Sequence, residues 1–557
     1  MKLRFHERLL TVRERKGEGS ARTVVEGSVN LPGHLPPAHR MVLVEVQVDR
    51  YRAHPEGDRI LIEGACSVRA VYAAAPDEGR DRLGEAEREG ARLRGQAEAL
   101  FSASWPGGIP FTLLVDAEGV GPEDAVRVDV AVREVEWDLT AGGRQLDVDA
   151  VLEARAAAYA YETSRVPLAE GALPPGALVD PIQVRAVSLT PELTVEGHTA
   201  GELALSPAYP AAERILRVEA VPRVGRVDVG AGRLTAQVDM GYRILYAPLD
   251  PGEGQAILAR FQAETPFELE ASVNTLQEGM ELQLEPLAVP VEASLRDQGR
   301  RLWVEAHPRF RCRPYQRLPL TLAERVQAEG AEVAERQVTP VLVELVADLE
   351  RHQETTAVLE LPRGKPLIEQ VLDVTAQPLI ESVHVGADRV TAKVVLACSL
   401  LYAARVDDDS RPLFHHHWPQ ALTVEVELPV PGAEPDMEAE LWATVEQPVA
   451  DLINRETTEL HGQLVVRGRL TRRITPEVVA EAVSLPAEER PEATFIFVRV
   501  EPDDTLWGLA QRYGVSEEEV RACNPGLADA ADPEAALHQL RKSCLPGTRS
   551  LARETQS

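Results

Sequence analysis

The sequence predicts a mainly β protein: three tandem antiparallel β-rich modules, sandwich-like or barrel-like, followed by a small α+β domain. Apolar and polar residues alternate along many short runs that are separated by Gly- and Pro-containing turns. This pattern is typical of antiparallel strands with one buried face. Similar stretches also recur along the chain at a fixed spacing, which indicates a repeated structural unit.

The repeat is clearest between residues 215–248 and 371–404, which align without a gap at an offset of 156 residues. Residues 139–155 and 295–311 resemble each other at the same offset of 156 residues. A fainter copy of the first segment covers residues 42–75. Because two separate segments share one offset, we interpret the chain as three successive copies of one unit.

The unit boundaries follow from this spacing and from a change in composition after the third copy. The first unit also carries a charged insert at 77–101, which we interpret as a solvated, partly helical excursion, with a partner-docking arm as the alternative. Pro476, Pro486 and Pro491 lie among acidic residues and indicate a linker. The predicted organisation is unit 1 at 1–165, unit 2 at 166–325, unit 3 at 326–475, a linker at 476–493, a terminal domain at 494–546 and a tail at 547–557.

Composition narrows the class of function. The chain has 557 residues, of which 59 are basic and 89 acidic, for a formal net charge of −30. A surface this acidic repels nucleic acid, so a general role on DNA or RNA is disfavoured. The N-terminal segment lacks the apolar run of a secretory signal, and no uncharged apolar run of about 18 residues occurs. We therefore expect a cytoplasmic protein without a transmembrane segment.

Candidate chemical groups have simple explanations. His415, His416 and His417 point in different directions on a strand and lie in a loop-like approach to Trp418, so we expect no metal there. The run Asp407–Asp409 lacks the spacing of a calcium loop and is interpreted as a solvated turn. We identify no catalytic motif and expect no enzymatic activity, no cofactor and no metal.

Three arginines and two cysteines complete the candidates. Arg59, Arg233 and Arg389 follow the hairpin turns and are interpreted as exposed or paired strand charges rather than a shared functional mark. The five cysteines form no CxxC pair, which favours neither a disulfide framework nor a zinc site. Cys523 and Cys544 lie in the same small domain, and whether they pair is left open.

The terminal domain reads as strand, helix, helix, strand. Phe495 and Phe497 belong to the first strand, and Asp504 or Thr505 caps the first helix. Ser516 begins the second helix, with a Glu three residues later as in a capping box. The closing strand is predicted at 544–546.

This domain resembles a LysM domain. The resemblance rests on the run V-x-x-x-D-T-L-W-x-L-A-x-x-Y-G-V-S-x-x-x-V-x-x-x-N-P-x-L from Val500 to Leu527. It implies a βααβ fold that binds N-acetylglucosamine-containing glycans such as peptidoglycan, in a groove between two loops. Asp503 stands where the family has Gly, and the stretch 528–540 is longer than usual. The residues that the resemblance places at the groove are Asp503, Asp504, Thr505, Leu506, Asn524, Pro525, Gly526 and Leu527.

The repeats resemble SPOCS domains. The shared features are a Leu-Pro turn, a V-x-V-x-x-x-V run, a G-R-V-x-A turn and an L-L-Y-A strand. Tandem SPOCS units followed by one LysM domain are the arrangement of SipL-like spore morphogenetic proteins of spore-forming Firmicutes. The resemblance implies a place in the mother-cell cytoplasm at the forespore surface, with the LysM region binding the ATPase of the coat's basement layer.

The leading hypothesis is therefore a non-enzymatic scaffold of spore coat assembly whose LysM module docks a coat protein. The alternative is a protein that binds peptidoglycan, its precursors or another N-acetylglucosamine glycan through the LysM domain. A cell-wall hydrolase with a LysM anchor is a third possibility, disfavoured because no catalytic motif and no secretion signal is found in the sequence.

Overall fold

The computed structural model describes residues 2–74, 99–171, 173, 176–249, 258–287, 289–328, 332–404, 412–485, 495–501, 504–528, 530, 533–540 and 542–546. Most of the predicted insert, the run Asp407–Asp409 and the tail at 547–557 lie outside these residues. Antiparallel strands form most of the described chain before the terminal domain, so the prediction of a mainly β fold is confirmed.

Each unit contains a run of three consecutive strands that forms a meander, but the units differ in their total number of described strands. In unit 1 they are β1 (Lys2–Arg4), β2 (His6–Asn30), β3 (Ala38–Pro55), β4 (Arg59–Ala74), β5 (Ala99–Asp116), β6 (Ala125–Thr140) and β7 (Gln145–Leu168). In unit 2 they are β8 (Ala177–Leu189), β9 (Leu193–Glu196), β10 (Thr199–Ala204), β11 (Ala212–Gly230), β12 (Arg233–Pro248), β13 (Ala259–Ser272), β14 (Glu281–Pro286), β15 (Val291–Arg296), β16 (Arg301–Ala306) and β17 (Arg309–Ala328). In unit 3 they are β18 (Glu332–Val338), β19 (Leu342–Glu360), β20 (Ile368–Gly386), β21 (Arg389–Ala404), β22 (Leu413–Pro429), β23 (Glu438–Asn454), β24 (Thr457–Ile474) and β25 (Val478–Leu485).

Each unit packs one three-stranded meander against further strands to enclose an apolar core. The meanders are β3-β4-β5, β11-β12-β13 and β20-β21-β22. In unit 1 the meander packs on the sheet β2-β7-β6. Along β4, Ile60 and Ile62 are buried whereas Arg59 and Glu63 are exposed, as period-two alternation requires. The alternation seen in the sequence therefore sets which face of each meander is buried.

The second and third units are joined by a continuous sheet. Its strand order is β14-β17-β8-β19-β24-β23, with β9 also paired to β17. The junction is the β8–β19 pair, where Val187 lies opposite Val343. These two residues differ by the same 156 positions as the sequence repeat, so equivalent strands of two units pair with each other.

The three meanders converge on a shared apolar centre, which we call the axial core. Each unit contributes residues at matching strand positions, so the units surround the axial core in a quasi-threefold arrangement. Burying these side chains together makes each unit depend on the other two. The axial core contains Val42, Leu43, Val71, Ala73 and Leu100 of unit 1, Leu216, Leu245, Ala247 and Leu258 of unit 2, and Leu372, Leu401, Ala403 and Leu413 of unit 3.

Two equivalent contacts around the axial core run in the same direction from unit to unit. Arg40 of unit 1 donates to the carbonyl of Leu413 in unit 3 at 2.6 Å and stacks over the Phe414 ring. Arg214 of unit 2 makes the same contacts with the carbonyl of Leu100 and the Phe101 ring in unit 1. Head-to-tail contacts of this kind close into a ring when the rotation between units fits the number of units.

The structure corrects the predicted linker. Residues 478–485 form β25, which pairs with β1 of unit 1 and β18 of unit 3. Val478, Val479 and Ala482 are fully buried on this strand. The prolines at 476 and 486 flank the strand rather than interrupt it, so its Val- and Ala-rich run was free to add to a sheet.

The terminal domain has the predicted order of elements with two additional short helices. Its strands β26 (Phe495–Arg499) and β27 (Lys542–Pro546) are antiparallel, with the helices α1 (Leu506–Tyr513), α2 (Glu517–Cys523), α3 (Pro525–Ala528) and α4 (Pro533–Gln539) between them. The helices α3 and α4 lie in and next to the stretch that is longer than in the LysM family. Residues such as Leu506, Leu509, Val520 and Leu545 form its core.

Local hydrogen bonds explain where the two longer helices begin. Thr505 caps α1, since its hydroxyl accepts from the Gly508 amide at 2.9 Å. Ser516 caps α2 by accepting from the Glu519 amide at 3.2 Å, and the Glu519 carboxylate accepts from the Ser516 amide at 2.7 Å. The predicted capping box is therefore confirmed. Among the described residues, no helix is long and apolar enough to cross a membrane.

A glycine that the repeat preserves is required by backbone geometry. Gly143 and Gly299 differ by 156 positions, and both have positive φ, of 86° and 77°. A Cβ on either residue would collide with a backbone carbonyl, that of Ala38 in unit 1 or Ala212 in unit 2. Only glycine combines this φ with so close an approach.

We expect Gly299→Ala to lower the free energy of unfolding by more than about 2 kcal/mol, because it adds φ strain to a backbone collision. Urea unfolding of the full chain measures the change. Gly201→Ala is the matched control, because a Cβ at Gly201 meets open space. An equal loss of stability in both variants would contradict the steric explanation.

Candidate functional site

The predicted groove residues of the terminal domain divide into buried and exposed groups. Leu506 and Leu527 lie in the domain core. Thr505, Pro525 and Gly526 are exposed, and Asp503 lies outside the described residues. Among the described groove residues, the exposed ones are those available to a ligand or partner.

Two polar residues of the predicted groove are committed to the fold. The buried Asn524 side chain donates to the carbonyls of Val520 and Cys544, both at 2.7 Å, and accepts from the Cys544 amide at 2.8 Å. It thereby ties β27 to the end of α2. The buried Asp504 carboxylate accepts from the Glu501 amide at 2.8 Å and from the Arg512 guanidinium at 2.9 Å. Both side chains hold the loops that carry the exposed residues.

An exposed aromatic pair lies on the first strand of this domain. The Phe497 side chain is 69% exposed, and Phe495 is also exposed, whereas Ile496 and Val498 between them pack on the core. Alternation along β26 therefore places two phenylalanines on its outer face. Exposed aromatic rings of this kind are common where proteins bind one another.

The two cysteines of this domain are free thiols. Cys544 lies in β27 directly opposite Phe497. Burial and the neighbouring Cys544 raise the pKa of the Cys523 thiol above its ordinary value. Cys523 therefore favours the neutral thiol form.

Beside the axial core lies an ion cluster centred on Arg217, which we call the axial ion cluster. The Arg217 side chain is 9% exposed and donates to Asp373 of unit 3 and Glu45 of unit 1, both at 2.6 Å. It also pairs with Glu219 of its own unit, whose carboxylate lies 2.7 Å from the Arg243 guanidinium. One guanidinium therefore contacts carboxylates from all three units.

The repeat gave a signal for this cluster that sequence reasoning did not use. Arg217 and Asp373 occupy the same position of the aligned segments, 156 residues apart, with opposite charge. Equivalent positions in a closed ring can approach one another near its axis. Opposite charges at matched positions of a repeat therefore indicated that the units meet there.

A second buried network links the outer sheets. Glu440 of unit 3 forms an ion pair with Arg13 of unit 1 at 2.7 Å and accepts from Arg469 at 2.8 Å, and Arg127 of unit 1 lies 3.3 Å away. Burial opposes the charge of the Glu440 carboxylate, but the surrounding guanidinium groups hold its pKa well below the ordinary value. Arg311 of unit 2 adds to the network by pairing with Asp129 of unit 1 at 2.7 Å. Ion pairs thus join the units in two places, at the axial ion cluster and between the outer sheets.

The three consecutive histidines lie on a strand, so their predicted place in a loop is wrong. His415, His416 and His417 belong to β22 and pair with β21. The physical reason is that β22 continues through Trp418 by pairing along the whole of β21. His417 contacts the Ser399 hydroxyl at 2.8 Å and the Arg133 carbonyl at 3.3 Å, and His416 packs edge-on against Trp418.

Burial and nearby cations suppress protonation of two of these histidines. Burial, followed by the charge of Arg217, lowers the pKa of His415 to about 3. Burial, followed by Lys365, lowers the pKa of His416 to about 4. Both imidazoles are therefore neutral at neutral pH.

The arginines after the hairpin turns are paired across the sheet and exposed. Arg59 lies 2.9 Å from Asp116, Arg233 2.9 Å from Glu270, and Arg389 4.0 Å from Glu427. Their interpretation as exposed or paired strand charges is confirmed.

A cavity of about 830 Å³ lies between the first two units. It is lined by residues of both units, among them Leu43, Arg69, Ile215 and Arg309. Arg69 donates to the carbonyl of Val218 at 3.1 Å, which ties the cavity wall of unit 1 to unit 2. The cavity is therefore a product of the ring and does not exist in one unit alone.

Comparison with known proteins identifies two domain classes on this chain. The family model described as SipL, SPOCS domain matches residues 367–453, which run from β20 into β23 of unit 3. The LysM domain model matches residues 498–535, from β26 into α4. No curated protein and no solved structure matches the chain significantly.

These matches define a β-rich protein that carries non-catalytic binding domains. The chain combines a SipL-type SPOCS domain with a LysM domain, as the resemblance implied, and these domains are those of a sporulation-related protein. The LysM match places residues 498–535 in a class of peptidoglycan- and glycan-binding domains.

We expect Arg217→Met to lower the free energy of unfolding by about 3–5 kcal/mol, because it removes the cation shared by carboxylates of three units, among them the buried Asp373. Urea unfolding of the full chain provides the measurement. Arg226→Met on the same strand is the matched control, since its pair with Asp228 is exposed and contributes about 0–1 kcal/mol. Equal small effects would contradict a central role for Arg217.

We expect the free energy of unfolding to decrease as the pH is lowered, because His415 takes up a proton in the unfolded chain but not in the folded one. Its folded pKa of about 3 lies below the ordinary 6.5, so the stabilisation is complete above pH 6.5 and is lost as pH falls toward 3. One such group contributes a slope of up to about 1.4 kcal/mol per pH unit. Urea unfolding of His415→Gln between pH 6.5 and 5 should give a shallower slope than the wild type, whereas the exposed His352→Gln should not.

Proposed function

We propose that this protein is a non-enzymatic scaffold of spore coat assembly, and that units 1 and 2 are SPOCS domains like unit 3. The observation that carries the proposal is the presence of a SipL-type SPOCS match and a LysM match on one chain. The same meander topology in all three units supports the extension to units 1 and 2. In this proposal the chain works in the mother-cell cytoplasm at the forespore surface.

The ring arrangement supports a scaffold role. The axial core and the buried ion pairs fix the three units relative to one another. A rigid ring presents several outer faces at set angles, which suits a protein that organises others. The acidic surface favours partners with basic patches, through attraction that added salt weakens.

The LysM module is proposed to dock a coat protein, with the coat's basement-layer ATPase as the expected partner. Two features support a protein ligand. Phe495 and Phe497 offer exposed apolar rings, and the exposed groove residues Thr505, Pro525 and Gly526 carry no charge. Asp504 and Asn524 are committed to the fold, which leaves few polar groups of the described groove for a sugar.

Glycan binding is the second candidate function. The LysM match favours it, because the family binds N-acetylglucosamine-containing glycans. Asp503 stands where the family has glycine, so Asp503→Gly should increase binding if that departure weakens a glycan site. Sedimentation of the full chain with purified peptidoglycan measures this binding.

The docking proposal predicts that the full chain retains a coat protein from a lysate of sporulating cells. Gly526→Arg should reduce the retained partner at least about tenfold, because the added side chain projects from the exposed groove. The backbone tolerates the change, since a Cβ at Gly526 meets its nearest neighbour, Leu540, at an ordinary 3.9 Å.

Gly201→Arg is the matched control, because Gly201 lies in unit 2 and a Cβ there meets open space. It should retain the partner as the wild type does, and retention should fall as salt is added. Recovery of glycan only, or of no coat protein, would overturn the docking proposal.

A further inference from the structure

We propose that unit 2 carries a binding site for a divalent transition metal of the zinc class, formed by His198, Glu305 and His307. In the described part of the chain, these residues bring two imidazoles and a carboxylate together, with one ligand atom of each within 4.8 Å of the others. The site has no part in the proposed coat function and stands on its own geometry.

The backbone places the two histidines side by side. The β10–β16 pair ends with Thr199 opposite Ala306, so His198 and His307 are the next residues on each strand. Two hydrogen bonds fix this end of the sheet: the Gly197 amide donates to the Pro308 carbonyl at 2.8 Å, and the His307 amide donates to the Pro290 carbonyl at 2.9 Å. The imidazole rings lie 4.9 Å apart between centroids.

The distances between the ligand atoms fit a tetrahedral ion. Bonds of zinc to imidazole nitrogen and carboxylate oxygen imply about 3.3 Å between neighbouring ligands in a tetrahedron. The carboxylate oxygen of Glu305 lies 3.0 Å from Nε2 of His198 and 3.6 Å from Nε2 of His307. Small side-chain rotations are therefore enough to place three ligands around one ion.

The ligand set selects the class of metal. Imidazole nitrogen suits zinc and its neighbours in the first transition row, whereas magnesium and calcium prefer oxygen ligands. Three protein ligands leave a fourth position open for water or for a group of another molecule. The side chains are 57%, 44% and 51% exposed for His198, Glu305 and His307, so an ion reaches them from solvent.

The surroundings add negative charge. Glu292 of β15 lies directly opposite Glu305 in the sheet register, so both side chains project from the same face. Glu292 also lines the cavity between units 1 and 2. A bound ion would therefore lie near the rim of this cavity, next to a second carboxylate.

Other exposed histidines provide a comparison. His352 lies 3.0 Å from Glu350, the same separation as His198 from Glu305, and His461 lies 3.4 Å from Glu459. In each of these pairs a single imidazole meets carboxylates. A hydrogen bond between one histidine and one carboxylate explains each of these pairs. It does not explain why a second imidazole, that of His307, lies beside His198 and Glu305.

Isothermal titration of the untagged full chain with zinc chloride near neutral pH tests the site. We expect binding that His198→Ala, Glu305→Gln and His307→Ala each weaken at least about tenfold. The controls His352→Ala and His461→Ala should bind zinc as the wild type does. All five side chains are about half exposed. Thermal unfolding followed by circular dichroism checks that each variant is folded.

Cobalt provides a second readout. The wild type loaded with Co²⁺ should give the visible absorption of a four-coordinate ion, and the His198→Ala/His307→Ala double variant should not. Failure of the wild type to bind zinc, or equal affinity in the wild type and the double variant, would overturn the proposal. Equal weakening by His461→Ala would also overturn it, because the binding would then reflect scattered histidines.

Discussion

The packing of three β units around one axis depends on the contact of Arg217 with carboxylates from every unit. A buried guanidinium with 2.6 Å partners on two other units is stable only while all three stay together. The apolar side chains of the axial core lie beside this cluster, and burial of the guanidinium strengthens the attraction. Apolar burial supplies the driving force for the assembly of the units, and the charges fix which faces meet. The ion pairs of Glu440 likewise fix how the outer sheets of units 1 and 3 meet.

The ring explains why the repeated units are not identical. Head-to-tail contacts such as Arg40 with Leu413 and Arg214 with Leu100 use equivalent residues, as expected from a duplicated surface. At the axis, however, three identical charges would repel one another. Leu43, Arg217 and Asp373 occupy matching positions on β3, β11 and β20, so the repeat has diverged to one apolar, one positive and one negative residue. A single chain allows this divergence, which three identical subunits would not.

In the terminal domain, the residues that define the LysM motif and the residues exposed at its surface are largely different. Asn524 and Asp504 give the LysM signature much of its recognisable form, and the structure uses their side chains to hold β27 and the loop before α1. Exposed atoms come from neighbours with weaker sequence signals, such as Gly526 and Phe497. A motif can therefore identify a domain reliably and still name as ligands several residues that are structural.

The sequence by itself determined the class of fold, the repeat, the LysM and SPOCS resemblance and the caps of the terminal helices, because alternation, spacing and capping are local patterns. It did not determine how the units meet. The run 478–485 became β25 because strands of two distant units offered free edges, and His415–His417 joined β22 because β21 offered a full-length partner. The contact of His198 with His307 likewise depends on the pairing of β10 with β16, more than 100 residues apart. Pairing between remote strands is set by the packing of the whole ring, which no local pattern records.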